Sequence, residues 1–298
     1  MKKNTFLLLL FLLNITALKS TNIKKYDGCD LNSPVPLNIA DSSSDDLEQT
    51  YNPERTYMFG VDFGTNTSFN GVNQTSKQLY YSPNFTYSSK SGLYFYTAGY
   101  YLLGAVNHWD ELDLNAGYDF NLSKKTEGSI SYMKSLFSDI SPQVNSSLTN
   151  DVQFYLKRKF WSVKTKLAFD YYFGTDTDYY ITLSNSKRFT WEKLFRENDD
   201  LTITPKIRIV TGSQNFYYTK NHIKKPTMKM LKKGKAGQTI VTEVAKLEFG
   251  VISYIFTLPV SYTIGKFTLE PAFNYSIGGN LTARPASSYF TISFYCTL

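Results

Sequence analysis

Ser288 to Leu298 ends the chain with Ser-Tyr-Phe-Thr-Ile-Ser-Phe-Tyr-Cys-Thr-Leu. In an extended strand Phe290, Ile292, Phe294, Cys296 and Leu298 share one face, and Tyr289, Thr291, Ser293, Tyr295 and Thr297 share the other. Chain ends fray, and an exposed apolar edge invites aggregation. A chain that finishes on so hydrophobic a strand therefore needs a partner for it. A sheet closed on itself supplies one, because the last strand pairs with the first and no edge remains.

The same period of two runs through the chain from Tyr57 onward. Tyr57, Phe59, Val61 and Phe63 alternate with Met58, Gly60, Asp62 and Gly64. Leu112, Leu114, Ala116, Tyr118, Phe120 and Leu122 alternate with Asp113, Asn115, Gly117, Asp119 and Asn121. Such segments are strands with one apolar and one polar face. The pattern predicts about twelve strands, an even number of the length that a tilted membrane strand needs. They span 56–69, 77–88, 91–103, 111–122, 126–136, 150–161, 162–173, 177–188, 200–212, 245–261, 265–277 and 286–298. Their connections mostly alternate in length, except that the seventh, around Gly174 to Thr177, is short and the eighth, Phe189 to Asp199, breaks the pattern. Ser88-Ser89-Lys90, Ser123-Lys124-Lys125, Phe160-Trp161-Ser162 and Ile264-Gly265 are tight, whereas Phe137 to Thr149 and Ser213 to Val244 are long. Long loops on one side and short turns on the other are the asymmetry of an outer-membrane barrel. The mean hydropathy of −0.30 is compatible with it, since barrel strands are only half apolar. The competing fold is a secreted β-sandwich, whose strands alternate in the same way. The expected fold is all-β, a transmembrane antiparallel up-and-down barrel of about twelve strands.

The closing strand, with its alternating aromatics at the terminus, resembles the C-terminal signal strand of Gram-negative outer-membrane β-barrels. That family usually ends on Phe or Trp, and this chain ends on Leu298. The resemblance implies export and insertion in the cell outer membrane by the outer-membrane assembly machinery, with outer-membrane lipid as a partner. The N-terminus agrees with export. Lys2 and Lys3 precede an uninterrupted apolar run from Phe6 to Leu13, too short to span as a helix, so 1–20 reads as a cleaved signal peptide. Residues 21–55, with Pro34, Pro36, Ser42, Ser43, Ser44 and Pro53, read as a flexible periplasmic tail. The barrel is assigned to 56–298.

With the apolar face turned to lipid, the polar face carries the chemistry. Lys157, Lys159, Lys164, Lys166, Lys206 and Arg208 form a basic wall on nearly neighbouring strands. Asp62, Asp113, Asp119, Glu127 and Glu270 make the wall elsewhere mainly acidic, and Asp170 lies inside the basic sector. Tyr80, Tyr155, Tyr180 and Tyr289 also point inward. In a water-filled pore, segregated charge biases selectivity. In a closed lumen the same charges pair into networks that fill it. The basic wall resembles the lumen tracks of small twelve-stranded channels for acidic oligosaccharides, which implies a narrow porin-like channel for small polar or anionic solutes. The alternative is a non-conducting structural, adhesive or partner-binding barrel that acts through its extracellular loops.

Lys220, Lys224, Lys225, Lys229, Lys232, Lys233 and Lys235 crowd the longest connection. They suit an anion-attracting mouth, a loop folded into the pore, a clamp on lipopolysaccharide phosphates or a solvated loop. Nucleic acid is not an expected partner of an exported protein. Cys29 and Cys296 are the two cysteines, and they are either a disulfide tying the tail to the barrel base or two free thiols. His108 and Asp110, in Asn-His-Trp-Asp, are the residues on which an enzyme reading would rest. The chain shows no Gly-rich phosphate loop and no metal-ligand spacing, so no enzyme activity, cofactor or metal is expected.

Overall fold

The structure, a computed structural model, describes residues 55–73, 78–104, 107–141, 147–223, 239–281 and 285–298, with the backbone alone for 73, 214–223 and 239–247. Residues 1–20, read as a signal peptide, and all of the expected tail but residue 55 lie outside the described residues. Twelve antiparallel strands form one closed ladder. They are β1 (Thr56–Gly64), β2 (Leu79–Ser88), β3 (Leu93–Leu103), β4 (His108–Ser123), β5 (Thr126–Phe137) and β6 (Asn150–Phe160). Then come β7 (Val163–Phe173), β8 (Thr177–Ser186), β9 (Lys206–Ile223), β10 (Thr239–Ile264), β11 (Phe267–Gly278) and β12 (Ser287–Thr297). Each strand pairs with its neighbours in sequence, and β1 pairs with β12.

The closing seam runs from Met58↔Thr297 to Gly64↔Thr291. Leu298 belongs to it as well. Its amide donates to the Tyr57 carbonyl at 2.8 Å, and its carbonyl accepts from the Tyr57 amide at 3.0 Å. The terminal Leu therefore extends the ladder by one more rung.

Period-two patterning sorts the faces as the sequence predicts. Phe59, Phe63, Leu112, Leu114, Ile292 and Phe294 are exposed on the outside, while Met58, Asp62, Asp113, Thr291, Ser293 and Tyr295 are buried inside. An outer belt of large apolar side chains around a polar interior is the surface of a membrane-spanning barrel. The 91–103 segment, in which both faces look apolar, resolves with Leu93 and Phe95 outside and Tyr94, Tyr96 and Tyr100 inside. Tyr81, Tyr101 and Trp109 cluster at the loop end, with centroid separations of 5.0 to 5.9 Å. They form one stretch of an interfacial aromatic girdle.

Three segments depart from the sequence reading. The first strand stops at Gly64 instead of reaching residue 69, because the chain leaves the wall there and turns inward. The ninth strand breaks at Thr204-Pro205, since Pro cannot donate to a ladder; Asp199–Ile203 pairs instead with the end of β10 and with Phe189–Glu192. This hairpin, 189–203, projects from the tight-turn end. The long connection from Ser213 to Val244 is partly ladder, since β9 and β10 stay paired to Ile223↔Thr239. Lys220 sits in that arm, whereas Lys224, Lys225, Lys229, Lys232, Lys233 and Lys235 lie outside the described residues.

Deleting Phe294–Leu298 strips most of the rungs between β12 and β1 and leaves the edge of β11 from Phe267 to Leu269 unpaired. The truncated protein is expected to lose the heat-modifiable folded band in gels; retention of that band would contradict closure through β12.

Candidate functional site

The lumen contains three layers, and the one nearest the loop end comes from a segment that the strand pattern overlooks. Ser68–Phe69 and Val72–Asn73 pair as a miniature hairpin. Asn70 and Gly71 occupy its turn with φ of 51° and 76°. Asn-Gly tolerates two successive left-handed residues, and it is the strongest short hairpin signal. The signal was therefore present in the sequence, hidden inside what reads as the end of a strand and its loop.

This hairpin crosses the lumen. Phe69 packs edge-on against Tyr172 of β7 at 5.3 Å and Tyr180 of β8 at 5.7 Å, on the wall opposite its own strand. Leu148, Val210, Ile252 and Ile255 complete the apolar cage, and Val72 packs against it. Ser253 donates to the Asn70 carbonyl at 2.6 Å and Ser276 to the Gly71 carbonyl at 2.8 Å. A bulge between Val210 and Thr211 against β10 shifts the register there, so that Ile252 and Ser253 are both buried. Local sequence does not announce that bulge.

The middle layer is out of reach of solvent. Asp62 and Tyr96 are each 1% exposed. Tyrosines on the inner face lie over glycines of adjacent strands: a Cβ at Gly64 would sit 2.2 Å from Tyr80, and one at Gly117 would sit 2.4 Å from Tyr94. The inward tyrosines fill the lumen because the neighbouring wall omits its side chains. Of the four expected inside, Tyr80, Tyr180 and Tyr289 are buried and Tyr155 is half-buried. Carboxylates in this layer accept from neutral donors. Asp62 accepts from Asn84 at 2.8 Å and Tyr295 at 3.1 Å, and Asp113 accepts from Ser135 at 2.6 Å. Asp170 accepts from Gln153, and Glu270 accepts from Ser261. Hydrogen bonds of this kind help to hold a buried charge.

The third layer is the basic wall, toward the tight turns. Registers Lys157↔Lys166, Lys166↔Ser184 and Ser184↔Arg208 define one row across β6 to β9. Lys159↔Lys164, Lys164↔Ser186 and Ser186↔Lys206 define the next. All six residues thus come together in two adjacent rows. Lys206 is buried, Lys157, Lys164, Lys166 and Arg208 are half-buried, and Lys159 is exposed at the rim. Lys157 pairs with Glu127 at 2.7 Å, and the Lys166 ammonium lies 4.3 Å from the Tyr155 ring centroid. Asp119 is half-buried one strand from Glu127.

The charges also divide along the barrel axis, beyond the side-by-side division expected from sequence. Asp151, Asp170 and Asp178 lie on β6, β7 and β8, the strands that carry or adjoin the basic rows, but near their loop ends. Asp151 and Asp178 follow the inward parity of Tyr155 and Tyr180 and were legible. Asp110 was not: Glu111 keeps the inward parity of Asp113, but a bulge between Tyr100 and Tyr101 against β4 buries its neighbour Asp110 as well.

His108 Nε2 lies 3.0 Å from Asp110 Oδ1. Asp110 also accepts from Ser138 at 3.2 Å and Ser141 at 2.8 Å. The carboxylate thereby ties the β5–β6 connection to the loop-end rim, a structural role. Cys296 is half-buried and has no disulfide partner among the described residues, and Cys29 lies outside them. Among the described residues no cluster of His, Cys, Asp and Glu is arranged to hold a metal ion.

No family model matches the sequence, and no curated protein matches it. Among solved structures it is similar to the NanC porin at 8% identity and a TM-score of 0.43, over 80% of this chain and 100% of that one. It is also similar to an outer-membrane channel from Pseudomonas putida F1 at 9% identity and a TM-score of 0.43, over 82% of this chain and 94% of that one. OmpF of Salmonella typhi follows at 7% identity and a TM-score of 0.30, over 82% of this chain and 97% of that one. Values this low transfer no property from those proteins; the barrel stands on its own closed ladder.

Replacing Phe69 with Ala empties the centre of the cage. Amide exchange at Gly71 and Val72 is expected to rise about tenfold or more, equivalent to ~1.4 kcal/mol of local stability. Exchange in β7 and β8 should stay unchanged, and an unaltered hairpin would show that the cage does not hold it.

Proposed function

We propose that this protein is a Gram-negative outer-membrane channel of narrow bore that takes up small anionic solutes. The observation that carries this reading is the pair of adjacent rows joining Lys157, Lys166 and Arg208 with Lys159, Lys164 and Lys206. Clustered cations on a low-dielectric wall attract anions and repel cations. The signal-peptide pattern, the aromatic closing strand and the long-loop, short-turn asymmetry favour the outer membrane.

The hairpin fits the role of a stopper in this reading. Its tip lies against Ile255, whose cross-strand partner is Arg208, so it sits directly over the upper basic row. Passage requires the hairpin to withdraw from its cage. Movement of a small loop is far less costly than movement of the wall, because the wall is held by ladders on both sides. The buried middle layer favours a second reading, a non-conducting barrel that acts through its loops.

Recording in planar bilayers separates the two. The protein is expected to give small, intermittent currents with anions preferred over cations by about threefold. Phe69→Ala should lengthen the open periods. Lys157→Gln, Lys164→Gln and Arg208→Gln together should bring the reversal potential in a salt gradient close to zero. Absence of current from both the unaltered protein and the Phe69→Ala variant would leave the non-conducting barrel.

A further inference from the structure

The tight-turn rim carries features that neither the lumen nor the fold explains. Trp161 sits at the tip of the β6–β7 turn with φ of 56° and 97% of its surface exposed. An aromatic residue is disfavoured in the left-handed region, where Gly or Asn is the usual occupant. A ring so fully exposed gains nothing from the protein in return. Phe160 beside it is exposed on the outer face, with the Arg158 guanidinium 5.2 Å from its ring centroid.

Register extends this site to both sides. Arg158 pairs with Thr126, and the Lys159 amide donates to the Lys125 carbonyl at 3.4 Å, which brings in the exposed Lys124 and Lys125. On the other side Lys164 pairs with Ser186, next to Lys187 and Arg188. Lys187 lies 5.0 Å from the Phe189 ring centroid.

The hairpin 189–203 continues the series. Its tip is held by Asp199, whose carboxylate accepts from the amides of Phe195 and Arg196 at 3.0 Å and from the Tyr262 hydroxyl at 2.7 Å. The Asp199 carbonyl accepts from the Lys193 amide at 2.7 Å. This fixed tip presents Phe195, 77% exposed, with Trp191 and Leu194 beside it and the exposed cations Lys193 and Arg196 between them. Glu192 and Glu197 are the exposed carboxylates of the same tip. Cations therefore dominate an arc that runs from the β4–β5 turn to this hairpin.

We propose that this arc is a docking surface for anionic phospholipid headgroups of the leaflet at the tight-turn end. Aromatic rings at the headgroup level, with Lys and Arg reaching for phosphates, are the chemistry of a protein–lipid interface. Lipid fits better than an acidic soluble partner because Arg158 and Phe160 lie on the outer face, continuous with the apolar belt. The arc also follows the perimeter of the barrel, the shape that an annulus of lipid presents. The inference rests on the barrel lying in a bilayer and is independent of conduction.

The test uses the full folded protein, equilibrated in an equimolar mixture of phosphatidylglycerol and phosphatidylcholine, with retained lipids counted by native mass spectrometry. Phosphatidylglycerol is expected to exceed phosphatidylcholine by about fivefold. The excess should vanish in the combined variant Arg158→Gln, Arg188→Gln, Lys193→Gln and Arg196→Gln, with the heat-modifiable band retained as proof of folding. In a chain with Trp109→Phe and Trp191→Phe, the fluorescence of Trp161 should shift to the blue and be quenched by brominated lipid. Equal retention of the two lipids, an excess that survives the charge changes, or a Trp161 that stays in water would overturn the proposal. A preference for soluble polyglutamate without any lipid preference would also overturn it, assigning the arc to an acidic protein.

Discussion

The ladder between β1 and β12 is the interaction on which the rest depends. Eleven hairpin-type pairings follow from chain order, but this one joins residues more than 200 positions apart, as in Asp62↔Ser293. Without it the sheet has two edges, each with unpaired backbone groups that hydrocarbon cannot satisfy. With it every strand has two neighbours, and the apolar face of every strand can turn outward at once. Closure therefore decides the surface of the molecule as well as its topology.

Closure also creates an interior that must be filled or wetted. Here the interior is filled in stages. Tyrosines lie over glycines, carboxylates accept hydrogen bonds from Ser, Asn, Gln and Tyr, and the Asn70-Gly71 hairpin spans the space at the loop end. The cations gather in two rows toward the tight turns, where Lys157 pairs with Glu127 and the tip of the hairpin lies over the row that contains Arg208. Hydrogen bonds from neutral side chains help to hold the buried carboxylates, and partial exposure lowers the cost of the cations other than the buried Lys206.

The period of two made the fold legible. It located the twelve strands, separated Phe59 and Phe294 from Asp62 and Ser293, and placed the basic residues on facing positions of nearby strands. The alternating loop lengths gave the barrel its direction. What escaped were the departures from strict alternation. The bulges near Tyr100 and Val210 break parity without any marker residue, so Asp110 and Ile252 are buried unannounced. Pro205 marked a break, yet nothing local states that the preceding five residues pair elsewhere. The Asn70-Gly71 signal was present but was absorbed into a strand reading that ran to Phe69, and that a loop folds inward instead of outward depends on an apolar cage contributed by five other strands and connections. Tertiary contacts of that kind have no signature in the segment itself.

Closure is tested most directly by hydrogen exchange of the seam amides in the protein folded in lipid. If β1 and β12 pair as described, the amides of Val61 and Phe294 exchange as slowly as those in the centre of the β5–β6 ladder, such as Ser131 and Gln153. Exchange at Val61 and Phe294 as fast as in the exposed turns would show an open sheet and contradict the barrel.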